Sequence, residues 1–152
     1  MPLIRSLTPT ARLTRGVGKR RSHWDATQLL KLRGAPIDIH PEVEDALQHN
    51  KPVVALETAL VTHGLPYPQS LEVPLAMEAN VRASGSVPAT IGLIGGRVKI
   101  GMERQELERL ANRDSNPVKV SRRDIAAAIA SGRDGGMCCS VDFKAYPYVA
   151  MN

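Results

Sequence analysis

Aromatic side chains are nearly missing from this sequence: Trp, Tyr and Phe together make up 3% of its 152 residues. A core must therefore be assembled from Val, Ile, Leu and Ala, within a composition that is 43% hydrophobic and 23% charged, the balance of a globular chain. Cysteine is as scarce. Cys138 and Cys139 are adjacent, so they cannot form a normal mutual bridge, and they lack the spacing of a zinc ligand pair. Nothing points to a secreted disulfide scaffold. No apolar run approaches the roughly 18 residues that a membrane helix needs. Acids are wholly absent from the first 24 residues, which hold Arg5, Arg12, Arg15, Lys19, Arg20 and Arg21.

That last absence decides how the net charge of +5 is read. With six cations placed in the first segment, residues 25–152 keep 14 cations against all 15 acids, a net of −1. A nucleic-acid-binding body would need a cationic face of its own, so neither nucleic acid nor membrane is expected as a partner. The basic segment, rich in Arg, Ser and Thr with Leu3, Ile4 and Leu7 between them, has the composition of an organelle import peptide. Residues 1–30 are accordingly expected to be a disordered presequence directing a mitochondrial location. A basic tail with no address, and so a cytoplasmic location, is the alternative. The run Gly18-Lys19-Arg20-Arg21 is too short a basic stretch to serve as a nuclear signal with any specificity.

Beyond residue 30 the pattern alternates between helix and strand. His40-Pro41 opens a helix whose first turn carries acids, and Pro is tolerated at the first helical position. Val53-Val54-Ala55-Leu56 is an apolar run suited to a buried strand, ending at Glu57-Thr58 in a Gly/Pro-rich loop through Pro68. Ser70 is expected to cap a helix that carries Val73, Met77 and Val81 and closes at Gly85. Residues 89–94 form a second strand, turning at Gly95-Gly96 into a hairpin partner over 98–100. A short helix over 103–111 points Leu107 and Leu110 inward, and Val118-Lys119-Val120 is a third strand. Ser121 to Asp124 fits a capping box opening a helix that stops at Gly132. The expectation is an α/β fold, a layered sheet with flanking helices, with its active site at strand ends.

Two places carry chemistry. Glu57 follows a buried strand directly, so desolvation there would raise its pKa and suit it to deliver a proton. A carboxylate that caps the loop or pairs with a cation remains the alternative. Lys119, Arg122 and Arg123 flank the expected helix start at Ser121, where free N–H groups and the positive dipole end would make a phosphate site. A solvated turn in which Asp124 satisfies the arginines is the alternative there. His63 is a loop histidine that reads as a hydrogen-bonding strut rather than a catalytic group. No metal-ligand cluster is visible, and Gly95-Gly96 is too weak a signal for a nucleotide loop.

Three stretches then resemble one family. KPVVALETALVTHGLPYPQSLEV is similar to the opening signature of the pseudouridine-5'-phosphate glycosidases, also called the indigoidine synthase A-like family, with Thr58 where Ser is usual. SVPATIGLIGGRVKIGM and NPVKVSRRDIAAAIASGRDGG resemble the second and third signatures, in order and at the expected spacing, across Ile37 to Gly136. The resemblance implies cleavage or formation of the C–C bond between uracil and ribose 5-phosphate, through a ring-opened Schiff base on a lysine and with manganese assisting. It implies that Glu57 is the acid/base and that Lys119 contacts the substrate, with Arg122 and Arg123 in the same motif. It also implies a homotrimer, fused to a sugar kinase in some eukaryotes.

After Gly136 the sequence departs from the family, which continues with a Thr-Thr segment and a small-residue helix. Residues 31–136 are therefore read as the N-terminal part of the glycosidase domain, and 137–152 as an aberrant tail. The family's Schiff-base lysine and metal carboxylate have no matched counterparts, Lys144 fitting neither motif nor context. The chain alone is expected to be inactive. The alternative function is a non-catalytic fragment or splice product that at most binds phosphate or a full-length subunit.

Overall fold

A computed structural model describes residues 34–138 of the chain; the basic segment and the residues from 139 onward lie outside that range. Chain order runs β1 (Ile37–Ile39), α1 (Pro41–Gln48), β2 (Val53–Leu56), a π-helical turn (Leu60–Gly64), α2 (Gln69–Ala83), β3 (Val87–Ile94) and β4 (Arg97–Ile100). It continues with α3 (Arg104–Ala111), a 3-10 turn (Arg113–Ser115), β5 (Val118–Val120), α4 (Ile125–Ala130) and β6 (Gly135–Met137).

α1 forms where the sequence predicts. Pro41 occupies its first turn, the His40 side chain accepts from the Glu42 N–H at 3.3 Å, and Val43, Ala46 and Leu47 bury one face at helical spacing. α3 is closed by a reciprocal box between Glu103 and Glu106 and buries Leu107 and Leu110 completely.

Two expected helix starts are corrected. Pro68, not Ser70, stands at the entry to α2, and no side chain caps it. Ser70 lies a residue inside the helix, buried, with its hydroxyl unpartnered. α4 begins only at Ile125. Residues 122–124 form a turn, because the Asp124 carboxylate accepts both the backbone N–H and the hydroxyl of Ser121 and closes that loop on itself.

The six-stranded sheet is built around β3. Along one edge β3 pairs antiparallel with β4, through the two-residue Gly95-Gly96 turn, and β4 in turn pairs parallel with β1. The first half of β3 pairs parallel with β2, from Val53 opposite Val87 to Leu56 opposite Thr90. Its second half pairs antiparallel with β6, Gly92 opposite Gly136 and Leu93 opposite Gly135, and β6 pairs parallel with β5. β2 and β6 therefore approach each other end to end beside the middle of β3.

Alternation along β3 sorts the helices into two layers. Ala89, Ile91 and Leu93 join a core with Val43, Ala46, Val120, Ala128 and Met137, which places α1 and α4 on one face. Ile94 packs into a second cluster with Val61, Leu107, Leu110 and the α2 residues Leu71 and Leu75, so the π-helical turn, α2 and α3 cover the other face. The boundary expected after Gly136 falls inside β6, whose Met137 is 2% exposed and belongs to the first core.

Candidate active site

Three strands end at one place. β2 runs in the direction of β3, whereas β6 and its parallel neighbour β5 run the opposite way, so the C-terminal ends of all three meet beside the midpoint of β3. Thr58, the second residue after β2, joins them. Its backbone N–H donates to the Met137 carbonyl at 3.1 Å, its hydroxyl donates to the Ile91 carbonyl at 2.6 Å, and that same oxygen accepts from the Met137 N–H at 3.1 Å. Thr58 has no exposed surface, so these bonds supply the otherwise orphaned backbone groups where β2 and β6 both stop.

Glu57 stands immediately before this junction and is half-buried. Its backbone neighbours, Leu56 in β2 and Thr58 in the junction, fix its position from both sides. Lys119 is the central residue of β5 and is exposed. It pairs with Gly136, the residue before Met137, so one strand separates it from the Thr58 junction. Arg122 and Arg123 are exposed in the turn after β5. The structure thus puts Glu57 just past the end of β2 and Lys119 on β5, beside the β6 strand that meets it, and leaves the two arginines on the turn after β5.

The electrostatics of that turn differ from expectation. Hydrogen bonds from Ser121, first its hydroxyl and then its N–H, hold the Asp124 carboxyl below its ordinary range, with Arg123 adding a smaller charge effect. Asp124 is thus occupied by Ser121, rather than by hydrogen bonds from the arginines. Helix α4 is six residues long and starts at Ile125, beyond both arginines.

Gly136 shows why glycine is required at the junction. A Cβ there would run into the Thr58 carbonyl and the Thr62 hydroxyl. The missing side chain lets the π-helical turn lie directly on β6. Sequence reasoning missed this strand and the role of Thr58, since the only signal was a buried-type residue following the Glu and a glycine pair far along the chain.

Among the described residues no group of three or more His, Cys, Asp or Glu side chains gathers to hold a metal ion. No step of the chemistry is assigned to the manganese that the resemblance implies. Among the described residues, too, no helix is long and apolar enough to cross a membrane. A cleft of about 650 Å³ between α2 and α3, lined by Tyr67, Leu71, Arg104 and Glu108 among others, holds none of the expected site residues.

Comparison with known proteins bears on this strand-end geometry. The family model described as "Indigoidine synthase A like protein" matches residues 42–144. The chain belongs to that family. The match runs past Gly136 and takes in the whole of β6. The pseudouridine-5'-phosphate glycosidase of Escherichia coli (strain K12) is 44% identical over 106 residues, covering 70% of this chain and 34% of the relative. The pseudouridine-metabolizing bifunctional protein of Schizosaccharomyces pombe is 42% identical over 118 residues, covering 78% of this chain and 16% of its own length. Among solved structures, an indigoidine synthase A-like protein from Thermotoga maritima superposes with a TM-score of 0.61 at 28% identity, over 72% of this chain and 35% of that one. The prealnumycin C-glycosynthase, solved with ribulose 5-phosphate, superposes at 0.59 and 36% identity, over 68% of this chain and 33% of its own. The chain spans about a third of the length of the bacterial pseudouridine-5'-phosphate glycosidases it matches.

Proposed function

We propose that this chain carries the glutamate–lysine part of a pseudouridine-5'-phosphate glycosidase site, acting on the C–C bond between uracil and ribose 5-phosphate. The placement of Glu57 just past the end of β2, beside the Thr58 junction, and of Lys119 on β5, the neighbour of β6, is the observation that carries the reading. Relatives named for this activity, and a structural neighbour solved with a sugar phosphate, support it.

In this reading Glu57 moves the proton. Carbon is a poor leaving group, and uracil departs only as its C5 gains a proton while the bond to the ribose carbon breaks. A half-buried glutamate whose backbone neighbours on both sides are held by sheet and junction hydrogen bonds is positioned to give that proton in cleavage and to take it back in synthesis. Lys119 meets the phosphate as a point charge, and Arg122 and Arg123 add positive charge at the rim. The covalent step implied by the resemblance, an iminium on a lysine, has no matched lysine among the described residues. The roles proposed for this chain are therefore proton transfer and phosphate binding.

The test grafts residues 37–138 into the E. coli glycosidase in place of the matching segment. Glu57→Gln should lower kcat by about 10²–10⁴-fold with little change in KM, since its proton is needed only as the bond breaks. Lys119→Ala should mainly raise KM for the phosphorylated substrate and leave unphosphorylated pseudouridine unaffected. Turnover of the Glu57→Gln graft at the parental rate would remove the catalytic assignment.

We also propose that residues 1–30 direct import into mitochondria, on their acid-free Arg/Ser/Thr composition. A fluorescent reporter fused to them should co-localise with mitochondria; a diffuse cytosolic signal would reject the proposal.

A further inference from the structure

We propose that His63 is a second ligand-contacting side chain of this site, hydrogen-bonded through Nε2 to a phosphate oxygen of the anion that Lys119 meets from β5. The inference rests on the phosphate role proposed for Lys119 and extends it to a residue that sequence reasoning read as a strut.

The sheet register puts the two residues on one face. Lys119 pairs with Gly136, and side chains paired across neighbouring strands emerge on the same side of a sheet. A Cβ on Gly136 would strike the Thr62 hydroxyl, so that side is the one over which the π-helical turn lies. Lys119 therefore rises beside the turn that carries His63. The flanking Val118 and Val120 point to the opposite face, into the core with Ala128 and Met137.

Between the turn and the entry to β5 lies a cleft of about 270 Å³, lined by Thr62, His63, Asn116 and Pro117. No acid is among these lining residues. Arg133 Nη2 donates to the Asn116 carbonyl at 3.0 Å, so a guanidinium braces the far wall. Lys119 follows Asn116 by three positions, on the strand that begins at Val118.

The imidazole is already oriented. Its Nδ1 lies 2.7 Å from the Thr62 hydroxyl, which donates to the Ala59 carbonyl at 3.3 Å. That contact occupies Nδ1 and fixes the ring plane. Nε2 is left without a protein partner among the described residues. Thr62 is itself anchored: its N–H donates to the Thr58 carbonyl, and its side chain sits against Gly136. The histidine is thereby mounted on the junction that positions Glu57. A fixed imidazole edge in a cleft lined by no acid, on the face from which Lys119 rises, suits a phosphate oxygen.

The experiment uses the full 152-residue chain and heteronuclear NMR of its histidine rings, with ribose 5-phosphate, inorganic phosphate and ribose as separate probes. Ribose 5-phosphate should shift the His63 ring signals and leave those of His40 and His49 unmoved. Inorganic phosphate should shift them in the same direction and ribose should not. His63→Ala should weaken ribose 5-phosphate binding by roughly tenfold, and His63→Asn, whose amide can still donate, should recover part of that loss. Ribose alone shifting His63 would overturn the phosphate assignment. Binding that is lost in Lys119→Ala but unchanged in His63→Ala, with the His63 signals still, would overturn this proposal and leave the Lys119 reading standing. Failure of the unsubstituted chain to bind ribose 5-phosphate would overturn both. The ring shifts need no variant, so the proposal stays testable even if His63→Ala does not fold.

Discussion

The Thr58 junction and the outer β1–β4 edge hold strands together by opposite means. At the junction a single neutral hydroxyl, fully buried, serves one carbonyl and one N–H. At the edge, Asp38 is gripped by Arg97 at 2.6–3.1 Å and by Lys99 at 3.1 Å, and Lys99 also reaches Glu106 at 3.0 Å. The edge is the more conspicuous cluster of ionisable groups, yet its charges cancel one another in solvent. The junction has no charge of its own and carries Glu57 beside it and Lys119 one strand away. Buried neutral bonds are costly to lose, because the groups left behind cannot turn to water, whereas exposed ion pairs exchange for hydration at little cost. Ionisable density is therefore a poor guide to the site in this molecule, and strand ends are a better one.

Thr58→Val should cost the fold more than any single change at the β1–β4 edge. It keeps the side-chain shape and strands the Ile91 carbonyl and the Met137 N–H in the interior, an expected cost of about 2–4 kcal/mol. Thr58→Ser keeps the hydroxyl and should fall within about 1 kcal/mol of the parent. Denaturant titration of both variants measures the contrast, and equal stabilities for Val and Ser would show that packing, not the hydroxyl, makes the junction. Gly136→Ala pushes β6 against the Thr58 carbonyl and should cost about 1–3 kcal/mol by overpacking.

How legible this was in the sequence follows the same division. β2, β3, β4 and β5 announced themselves as apolar runs bounded by turn residues, and Leu107 and Leu110 as an inward stripe. β6 did not, because Gly135-Gly136-Met137 has no intrinsic strand preference and is extended only by its neighbours β3 and β5. β1 is three residues long, and its pairing to β4 is set by tertiary context. The stretch after Glu57 read as an open loop, yet Leu60–Gly64 winds into a π-helical turn that buries Val61 and Thr62. Glu57 and Lys119 could be picked out by residue type and resemblance. Their common junction could not, since it depends on which strand lies next to which, and the shared face of Lys119 and His63 depends on register.

Asp134 is intermediate between the two regions and should behave so. Its nearly buried carboxylate takes a forked pair of bonds from Arg109, at 2.6 and 2.9 Å, and accepts from the Gly95 N–H at 2.7 Å. Arg109 itself is more than half exposed. Asp134→Asn retains an acceptor for Gly95 but loses the charge, and an expected loss of about 1–2 kcal/mol places it below Thr58→Val. A loss as large as that of Thr58→Val would mean that the β3–β4 turn is held mainly by this charge.

The smallest effect is expected at the β1–β4 edge, and pH separates it from the junction. Asp38 is lowered from its usual 3.8 to about 2, chiefly by the Arg97 hydrogen bonds and further by Lys99, against a desolvation that acts to raise it. A carboxyl depressed in the folded state adds stability that is complete above its unfolded value. That stability is lost as pH falls through the folded one, here between about pH 4 and pH 2. A shift of nearly two units corresponds to at most about 2.5 kcal/mol. The side chain is over a third exposed, so screening should leave about 1 kcal/mol or less. Asp38→Asn should therefore cost that amount at pH 7, and the gap to the parent should close by about pH 2 and shrink in 1 M salt. Glu42 is likewise lowered, by Arg82, and will add its own acid lability to both proteins, so only the difference between them reports on Asp38. The Thr58→Val gap contains no titrating group and should stay level across the same range. A gap at Asp38 that ignored both pH and salt would show that shape, rather than charge, holds the edge.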